Sequence, residues 1–368
     1  MKVLILLVRV LVGLVFILSG FLKAMDPYGT CYKIHDYLLA LGFNNLDSLT
    51  LPMSFILNAL EFTIGIMLVF NLKARLGIWL AFVLELIFTP LTLWLAMTNA
   101  VSDCGCFGDC LPLDNWATFG KNVVLVVLIL FLVIYRKRID NPLSDNVELA
   151  ISIATYVLVL LFQLYSIHHL PIIDCRPYKV GTYIPDKMVV PADAPRFESK
   201  SLFVMENKLT GETKKFTYEE YPSDTLVWKY LSTETTILQD ATLPPIHDFN
   251  MISPEDSVAQ DYVPVLMQYE KPVLLVIMHK LEKADEDGLA MLKDLEEYAQ
   301  RKEYLIGALT SSNLDVITAV KNDYNISIKF FNTDDITLKT IVRANPGIVL
   351  LKQGTILGKW NYRDFKFE

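Results

Sequence analysis

The residues whose types and spacing suggest covalent chemistry lie in Asp103-Cys104-Gly105-Cys106-Phe107-Gly108-Asp109-Cys110, a polar loop with three cysteines. A thiolate is a nucleophile and a metal ligand, and it exchanges with disulfides, so paired thiols are a reactive group. A Cys104–Cys106 disulfide would close a small ring, and Gly105 is the residue best able to adopt the backbone such a ring needs. Strain in that ring makes the bond easily reduced and hence a good oxidant. Lys121, near the start of the next apolar run, is placed to lower a thiol pKa, whereas Asp103 and Asp109 oppose it. The loop cysteines together with Cys31 and Cys175 also permit a relay, in which one pair meets a partner and another passes electrons inward. Two other readings stand beside this one. Cys104 and Cys106 could each bond to another cysteine and only staple loops together. Metal ligation is the third, and no His or further Cys-x-x-Cys lies close enough to complete a tetrahedral set. The total of five cysteines leaves at least one thiol free or paired with another chain.

The elements that must position this loop are apolar. The chain has 368 residues, 53% hydrophobic and 20% charged, too apolar for an ordinary soluble protein and too charged for a wholly buried one. A membrane part joined to a soluble part is implied. Apolar runs span Val3 to Leu22, Leu51 to Phe70, Ala74 to Met97, Phe119 to Tyr135 and Leu149 to Ile167, and none of spanning length follows residue 171. At about 1.5 Å per residue each crosses most or all of a hydrocarbon core of roughly 30 Å. The first run carries Arg9, exceeds a usual signal-peptide core and lacks a small-x-small cleavage site, so it is expected to be a retained helix. Lys73/Arg75 and Arg136-Lys137-Arg138 fall on one side, which the positive-inside rule makes cytoplasmic. Met1 then starts inside and everything after Leu170 lies outside, with Cys31, Cys104, Cys106, Cys110 and Cys175 all on the side where disulfides persist. The net charge of −8 gives no support to a nucleic-acid partner.

Polar residues inside these runs are costly and should face the bundle interior. They are Asn58 and Glu61 in the second run and Glu85 in the third. One glutamate is expected to pair with Arg9 and the other to be protonated and hydrogen-bonded; the alternative is a proton path or a quinone-side site. Thr30 to Leu41 is mildly amphipathic and is expected to lie along the membrane surface. Trp116 belongs at the interface. His168-His169 looks like a metal site, but helical neighbours point about 100° apart, so interfacial side chains are expected instead.

Downstream, Leu170 to Tyr178 reads as an extended, Pro-marked linker. Phe203 to Glu206 and Lys214 to Tyr218 alternate around Leu209-Thr210-Gly211-Glu212 as a β-hairpin. From Leu243 strands alternate with helices. Strands are expected at Pro272 to Met278 and Tyr304 to Leu309, helices at Asp287 to Arg301 and Asp315 to Asp323, and a terminal hairpin turns at Gln353-Gly354.

With Arg9, Gly13, Ser19-Gly20, Lys23, Glu61, Cys104-Gly105-Cys106-Phe107-Gly108, Asn115-Trp116, Thr118-Phe119 and Lys121-Asn122, residues 1–140 resemble the DoxX/MauE family of small polytopic proteins. That resemblance implies membrane redox chemistry: disulfide formation during methylamine dehydrogenase maturation for MauE, quinone-linked sulfur oxidation for DoxX/DoxD. Cys110 and the fifth apolar run depart from the short family pattern. The region from Leu243 resembles the thioredoxin-like fold of the TlpA and peroxiredoxin type, through Pro244-Pro245-Ile246-His247-Asp248-Phe249 and the strand at Pro272 to Met278. Asn345-Pro346 falls where that fold places a cis-proline. Where the family carries Cys-x-x-Cys this chain has His279-Lys280-Leu281-Glu282, so this domain is not expected to cycle a disulfide itself.

The expected organisation is therefore a DoxX/MauE-like transmembrane bundle over 1–140, a fifth transmembrane helix over 141–170, a linker and hairpin region over 171–242 and a degenerate thioredoxin-like domain over 243–368. The expected function is that of an inner-membrane thiol–disulfide redox protein, or an accessory to one. Cys104 and Cys106 would be catalytic, Cys31, Cys110 and Cys175 a relay, and Arg9, Glu61, Glu85 and Lys121 the intramembrane polar set. His279, Lys280, Leu281, Glu282 and Pro346 would form a site that binds an extracytoplasmic client or a membrane complex partner. A quinone is the candidate cofactor, and no metal is expected. The rival is a non-enzymatic assembly or scaffold protein whose disulfides are structural.

Overall fold

A computed structural model describes the chain apart from residues 44, 102–103, 140–142, 191–197, 209–210, 217–226, 240–242 and 368. Asp103, Leu209-Thr210 and Tyr218, used in the sequence reading, lie outside the described residues. Six helices come first: α1 (Lys2–Met25), α2 (Pro27–Ala40), α3 (Asp47–Phe70), α4 (Ala74–Thr98), α5 (Asn115–Tyr135) and α6 (Asp145–His168). All except α2 are long and apolar enough to cross a membrane, α5 with its extension to Arg138. They coincide with the five apolar runs, because in hydrocarbon a backbone can satisfy its polar groups only within the helix.

Side chains on α1 sort by helical period. Ile5, Val12 and Phe16 are buried against Ile64, Leu68, Ile78, Ile129 and Leu132. Leu7, Leu11, Leu14 and Leu18 are exposed on the outside, the pattern of a helix with one face toward lipid. The fifth membrane helix joins the bundle through polar groups. Gln163 of α6 accepts from Asn58 Nδ2 at 3.0 Å and donates to the Phe55 carbonyl at 3.1 Å.

The α1–α3 crossing is close because glycines meet there. A Cβ on Gly65 would stand 2.6 Å from Ile17 N, and one on Gly20 would stand 2.4 Å from Phe62 N. The obstruction is backbone, which cannot turn aside. Gly20→Ala is therefore expected to force the helices apart at a cost of about 1–3 kcal/mol, read as a lowered unfolding midpoint in detergent. Gly120→Ala on α5, where a Cβ meets nothing within 4 Å, is the control and should leave the midpoint unchanged.

Two compact units divide the chain, Met1–Thr182 with Asn250–Glu368, and Tyr183–Phe249. The second holds a short helix α7 (Ile184–Lys187) and an antiparallel sheet of β1 (Glu198–Asn207), β2 (Thr213–Phe216) and β3 (Trp228–Gln239), in the order β2-β1-β3. The expected hairpin is β1 and β2, and β3 is a third strand that the sequence reading did not place.

In the larger unit the helical bundle is followed by a mixed α/β region. Its strands are β4 (Val273–Met278), β5 (Leu305–Thr310), β6 (Lys329–Asn332), β7 (Gly347–Lys352) and β8 (Thr355–Asn361), in the order β6-β5-β4-β7-β8. β4, β5 and β6 are parallel; β7 and β8 run antiparallel to their neighbours. The helices are α8 (Val263–Gln268), α9 (Glu286–Ala290), α10 (Leu292–Arg301), α11 (Leu314–Asp323) and α12 (Asp335–Ile341). The single helix expected from Asp287 to Arg301 is thus divided at Met291, although its apolar positions Leu289, Leu292 and Leu295 still enter one core with Val276, Ile317, Phe330 and Ile348. β4 is buried along its whole length, as a central strand covered on both faces must be. The β7–β8 turn places Gln353 and Gly354 at positive φ, as a two-residue hairpin requires. The Asn345–Pro346 bond is cis, as expected.

Candidate functional site

The cysteine loop is held at both ends by helix caps. Asn115, the first residue of α5, donates from Nδ2 to Asn99 Oδ1 at 3.3 Å and to the Val101 carbonyl at 2.9 Å. Asp114 caps α5 by accepting from Ala117 N. Between these anchors Gly105 (φ +63°) and Gly108 (φ +60°) turn the backbone in the left-handed region, and Gly108 N donates to the Gly105 carbonyl at 3.0 Å. Tyr37 of α2 donates to the Cys104 carbonyl. The loop is closed from outside by a Cys110–Cys175 disulfide with Cα atoms 4.8 Å apart. All five cysteines stand at one end of the bundle: Cys31 Sγ bonds Thr50 at the start of α3, and Cys104 Sγ bonds Thr118 in the first turn of α5.

Cys104, Cys106 and Cys31 are free thiols. Two of the expected relay cysteines, Cys110 and Cys175, are thus bonded to each other, while the loop pair is not stapled to any other cysteine. The two loop thiols are not equivalent. Cys104 is lowered to about 6: the Cys106 thiol donates to it, Thr118 Oγ1 stands at 3.5 Å, Cys106 N at 3.2 Å, and Lys121 adds positive charge, together outweighing burial. Cys106 is pushed well above the ordinary thiol range, because it is the donor to Cys104 and is buried. Burial also raises Cys31, despite its bond to Thr50. Only Cys104 is therefore set up as a thiolate near neutral pH.

Behind the pair a cavity enters the bundle, walled by apolar side chains such as Phe16, Leu57, Phe88 and Leu125. Cys104, Gly105 and Cys106 line it together with Ser19, Lys23, Glu61, Glu85, Lys121 and Asn122. Lys23 Nζ lies 2.5 Å from the Glu61 carboxylate, both side chains buried. Ser19 Oγ stands 2.8 Å from Glu61 Oε2 and 2.7 Å from the Cys106 carbonyl, so its single proton links the ion pair to the loop. Here the expected pairing is corrected: Glu61 is matched by Lys23, not Arg9. Arg9 is buried elsewhere on α1 with Nε unpartnered, two turns and more from the level of Glu61. Glu85 is buried with one partner among the described residues, Thr89 Oγ1 at 3.4 Å. Lys121 Nζ lies 4.8 Å from the Phe107 ring centroid. Ser19 and Lys23 were legible as an i, i+4 polar pair inside an apolar run, a signal that the sequence reading did not use beyond the resemblance.

The α/β region meets the same end of the bundle. Arg343, two residues before Asn345, is buried, with Nε 2.9 Å from Asp26 Oδ2 and Nη2 2.8 Å from Asp109 Oδ2. Asp26 is also the N-cap of α2, and Asp109 precedes the disulfide. Burial opposes the Arg343 charge, and the two carboxylates outweigh it and raise the group further. On the other side of the disulfide, Asp174 accepts from Arg176 Nε at 2.8 Å and from Lys359 Nζ at 2.5 Å. His279, Lys280 and Asn345 line a second, polar cavity with Cys31, Tyr28 and Tyr32. His279 is pushed down to about 4 by burial and by Lys339, and its Nδ1 lies 3.6 Å from Asp335 Oδ1. Leu281 is buried in the core, Glu282 accepts from Ser312 Oγ at 2.6 Å, and the Pro346 ring abuts Gly288. His168 and His169 go their own ways, His168 to the Leu164 carbonyl and His169 to Asp364. No metal-ligating cluster of three or more groups occurs among the described residues.

No curated protein matches the chain. Residues 1–135, which carry the cysteine pair and every polar group of the membrane cavity, match the family described as "Methylamine utilisation protein MauE", and that segment is a MauE-like membrane domain.

Proposed function

We propose that the protein is a membrane thiol–disulfide redox protein, with Cys104 as the attacking thiolate and Cys106 as its resolving partner. The observation that carries the reading is the pair itself. Two free thiols, one stabilised as the anion and the other held as its donor, stand at the mouth of a cavity that enters the membrane bundle. In the oxidised state the pair would take two electrons from a client dithiol: a client thiolate attacks one sulfur, a mixed disulfide forms, and the second client thiolate displaces the other cysteine.

The reading places the cysteine end of the bundle outside the cytoplasm of an inner membrane, on the Lys/Arg bias of the loops. A quinone is the terminal acceptor in this reading, supported by the apolar walls of the cavity and by the polar side chains of Lys121 and Asn122 in its lining. Bound there, a quinone would supply two-electron, two-proton oxidation of the dithiol. The α/β region, read as thioredoxin-like, has no thiol of its own and serves to position a client or membrane partner. In support, His279 follows the central strand β4 and Pro346 precedes β7. The matched family is described as a methylamine utilisation protein, and a role in maturing another protein is what the family resemblance implies by analogy.

A second reading, an assembly scaffold with structural disulfides, draws on the Cys110–Cys175 bond that ties the loop to the segment after α6. One experiment decides between them. Full-length protein in lipid nanodiscs, oxidised and then mixed with dithiothreitol and a quinone, is expected to catalyse thiol oxidation. Cys104→Ser/Cys106→Ser should fall to the uncatalysed rate with the bundle still folded, while Cys110→Ala/Cys175→Ala should keep the activity and lose about 2–4 kcal/mol of stability. Catalysis that survives in the Cys104/Cys106 double variant would overturn the assignment to this pair, and no catalysis by the unmutated protein would leave the scaffold reading in place.

A further inference from the structure

Two buried carboxyl groups share the membrane cavity, and their surroundings differ sharply. Glu61 is fixed by an ammonium at 2.5 Å and a hydroxyl at 2.8 Å. Protonating it would leave the Lys23 charge buried without a partner, which is strongly unfavourable. Glu85, on α4, has one hydroxyl at 3.4 Å and no ion pair among the described residues, yet it too lines the cavity. An unpaired carboxylate in that position would be costly, and a carboxylic acid would not. The other titratable groups facing the cavity are Lys23 on α1, Lys33 and Tyr37 on α2, Glu61 on α3, Lys121 on α5, and the two loop thiols. Of the cations, Lys23 is committed to Glu61 and Lys121 is directed at the Phe107 ring.

We propose that Glu85 carries a proton in the resting protein and delivers it into the cavity when the Cys104–Cys106 pair is oxidised, while Glu61 remains a fixed anion that holds the loop through Ser19. The proposal rests on the redox reading of the pair, and stoichiometry gives it its content. Reducing a quinone fully takes two electrons and two protons. The thiol pair yields both electrons on forming its disulfide. With Cys104 already a thiolate, however, it yields only the one proton of Cys106. The second must come from another group at the cavity, and Glu85 is the buried acid that can release one without breaking an ion pair. Charge balances: the thiolate's negative charge disappears as the disulfide forms, and a carboxylate's appears at Glu85, to be reprotonated from water later. Two groups with environments this different, in one site, divide acid and anion roles between them.

The test uses full-length protein in nanodiscs. Without quinone, the infrared spectrum of the reduced protein at neutral pH should contain a protonated-carboxyl band. That band should vanish in Glu85→Gln and persist in Lys23→Met/Glu61→Gln, which removes both charges of the clamp together. With decylubiquinone added, reoxidation of the thiol pair should slow by about 10²-fold in Glu85→Gln, the usual contribution of a positioned acid. Exchange of the pair with dithiothreitol should not change, and Glu85→Asp should recover most of the rate. A band that persists in Glu85→Gln, or equal reoxidation in Glu85→Gln and the unmutated protein, overturns the proposal. Failure of the unmutated protein to be reoxidised by quinone overturns the redox reading and this proposal with it.

Discussion

Replacing Lys23 by Met is expected to destabilise the bundle by about 3–5 kcal/mol, because it strands the Glu61 carboxylate in an apolar interior. Replacing Glu61 by Leu should cost about as much by stranding the ammonium instead. The double variant Lys23→Met/Glu61→Leu should be far less damaged than the sum of the two, since the penalty in each single change is mainly the leftover charge and not the lost attraction. Both side chains are about nine-tenths or more buried, so solvent cannot rescue either partner. The measurement is a double-mutant cycle on unfolding equilibria in mixed detergent–lipid micelles. Additive singles would mean that the pair is solvated in the native protein and that the Ser19 link to the cysteine loop carries little. The double variant should also keep the loop in place, since the single Ser19 proton is then given wholly to the Cys106 carbonyl.

How far these features were legible in the sequence depends on whether the signal was local. The five membrane helices were, since length and apolar content decide them, and the buried strand Val273–Met278 was, since a run without polar residues must be covered on both faces. The cysteine loop was legible from spacing alone. The pairing inside the bundle was not. Arg9, Lys23 and Lys121 are all cations near apolar runs, and only the depth of each side chain on its helix picks Lys23 as the partner of Glu61. Cysteine connectivity was equally hidden, because Cys110 and Cys175 are 65 residues apart and nothing local joins them. Arg343 escaped notice for the same reason: its partners Asp26 and Asp109 come from distant loops, and in the sequence it is one arginine in a charged region. The strands β3 and β6 were missed because short or polar segments have no clear period.

Cys104 should be alkylated with a half-maximal rate near pH 6, whereas Cys31 and Cys106 should remain slow through neutrality. A thiol with that midpoint is about 90% thiolate at pH 7, against a few per cent for an ordinary cysteine, so the rate advantage at pH 7 is more than tenfold. The sign follows from the causes. Donors and cations stabilise the anion, so removing them must raise the midpoint and slow the reaction at a given pH. The largest cause is the Cys106 thiol, and Cys106→Ala should therefore move the midpoint well up toward the ordinary range and lower the rate at pH 7 by about tenfold. Lys121→Met should shift it in the same direction but less, because Lys121 is the weakest of the stabilising groups. Rates are followed with iodoacetamide, by mass spectrometry of the peptide that contains Cys104. A midpoint near the ordinary thiol value, unmoved by Cys106→Ala, would mean that the two thiols do not share a proton. The assignment of Cys104 as nucleophile would fall with it, because the asymmetry of the pair is what sets the direction of attack. If the shift appears, a second consequence is fixed. Cys106→Ser should accumulate mixed disulfides on Cys104 with a supplied peptide disulfide, one peptide thiolate leaving as the bond forms, and Cys104→Ser should accumulate none on Cys106, which stays protonated in the pH range where exchange runs.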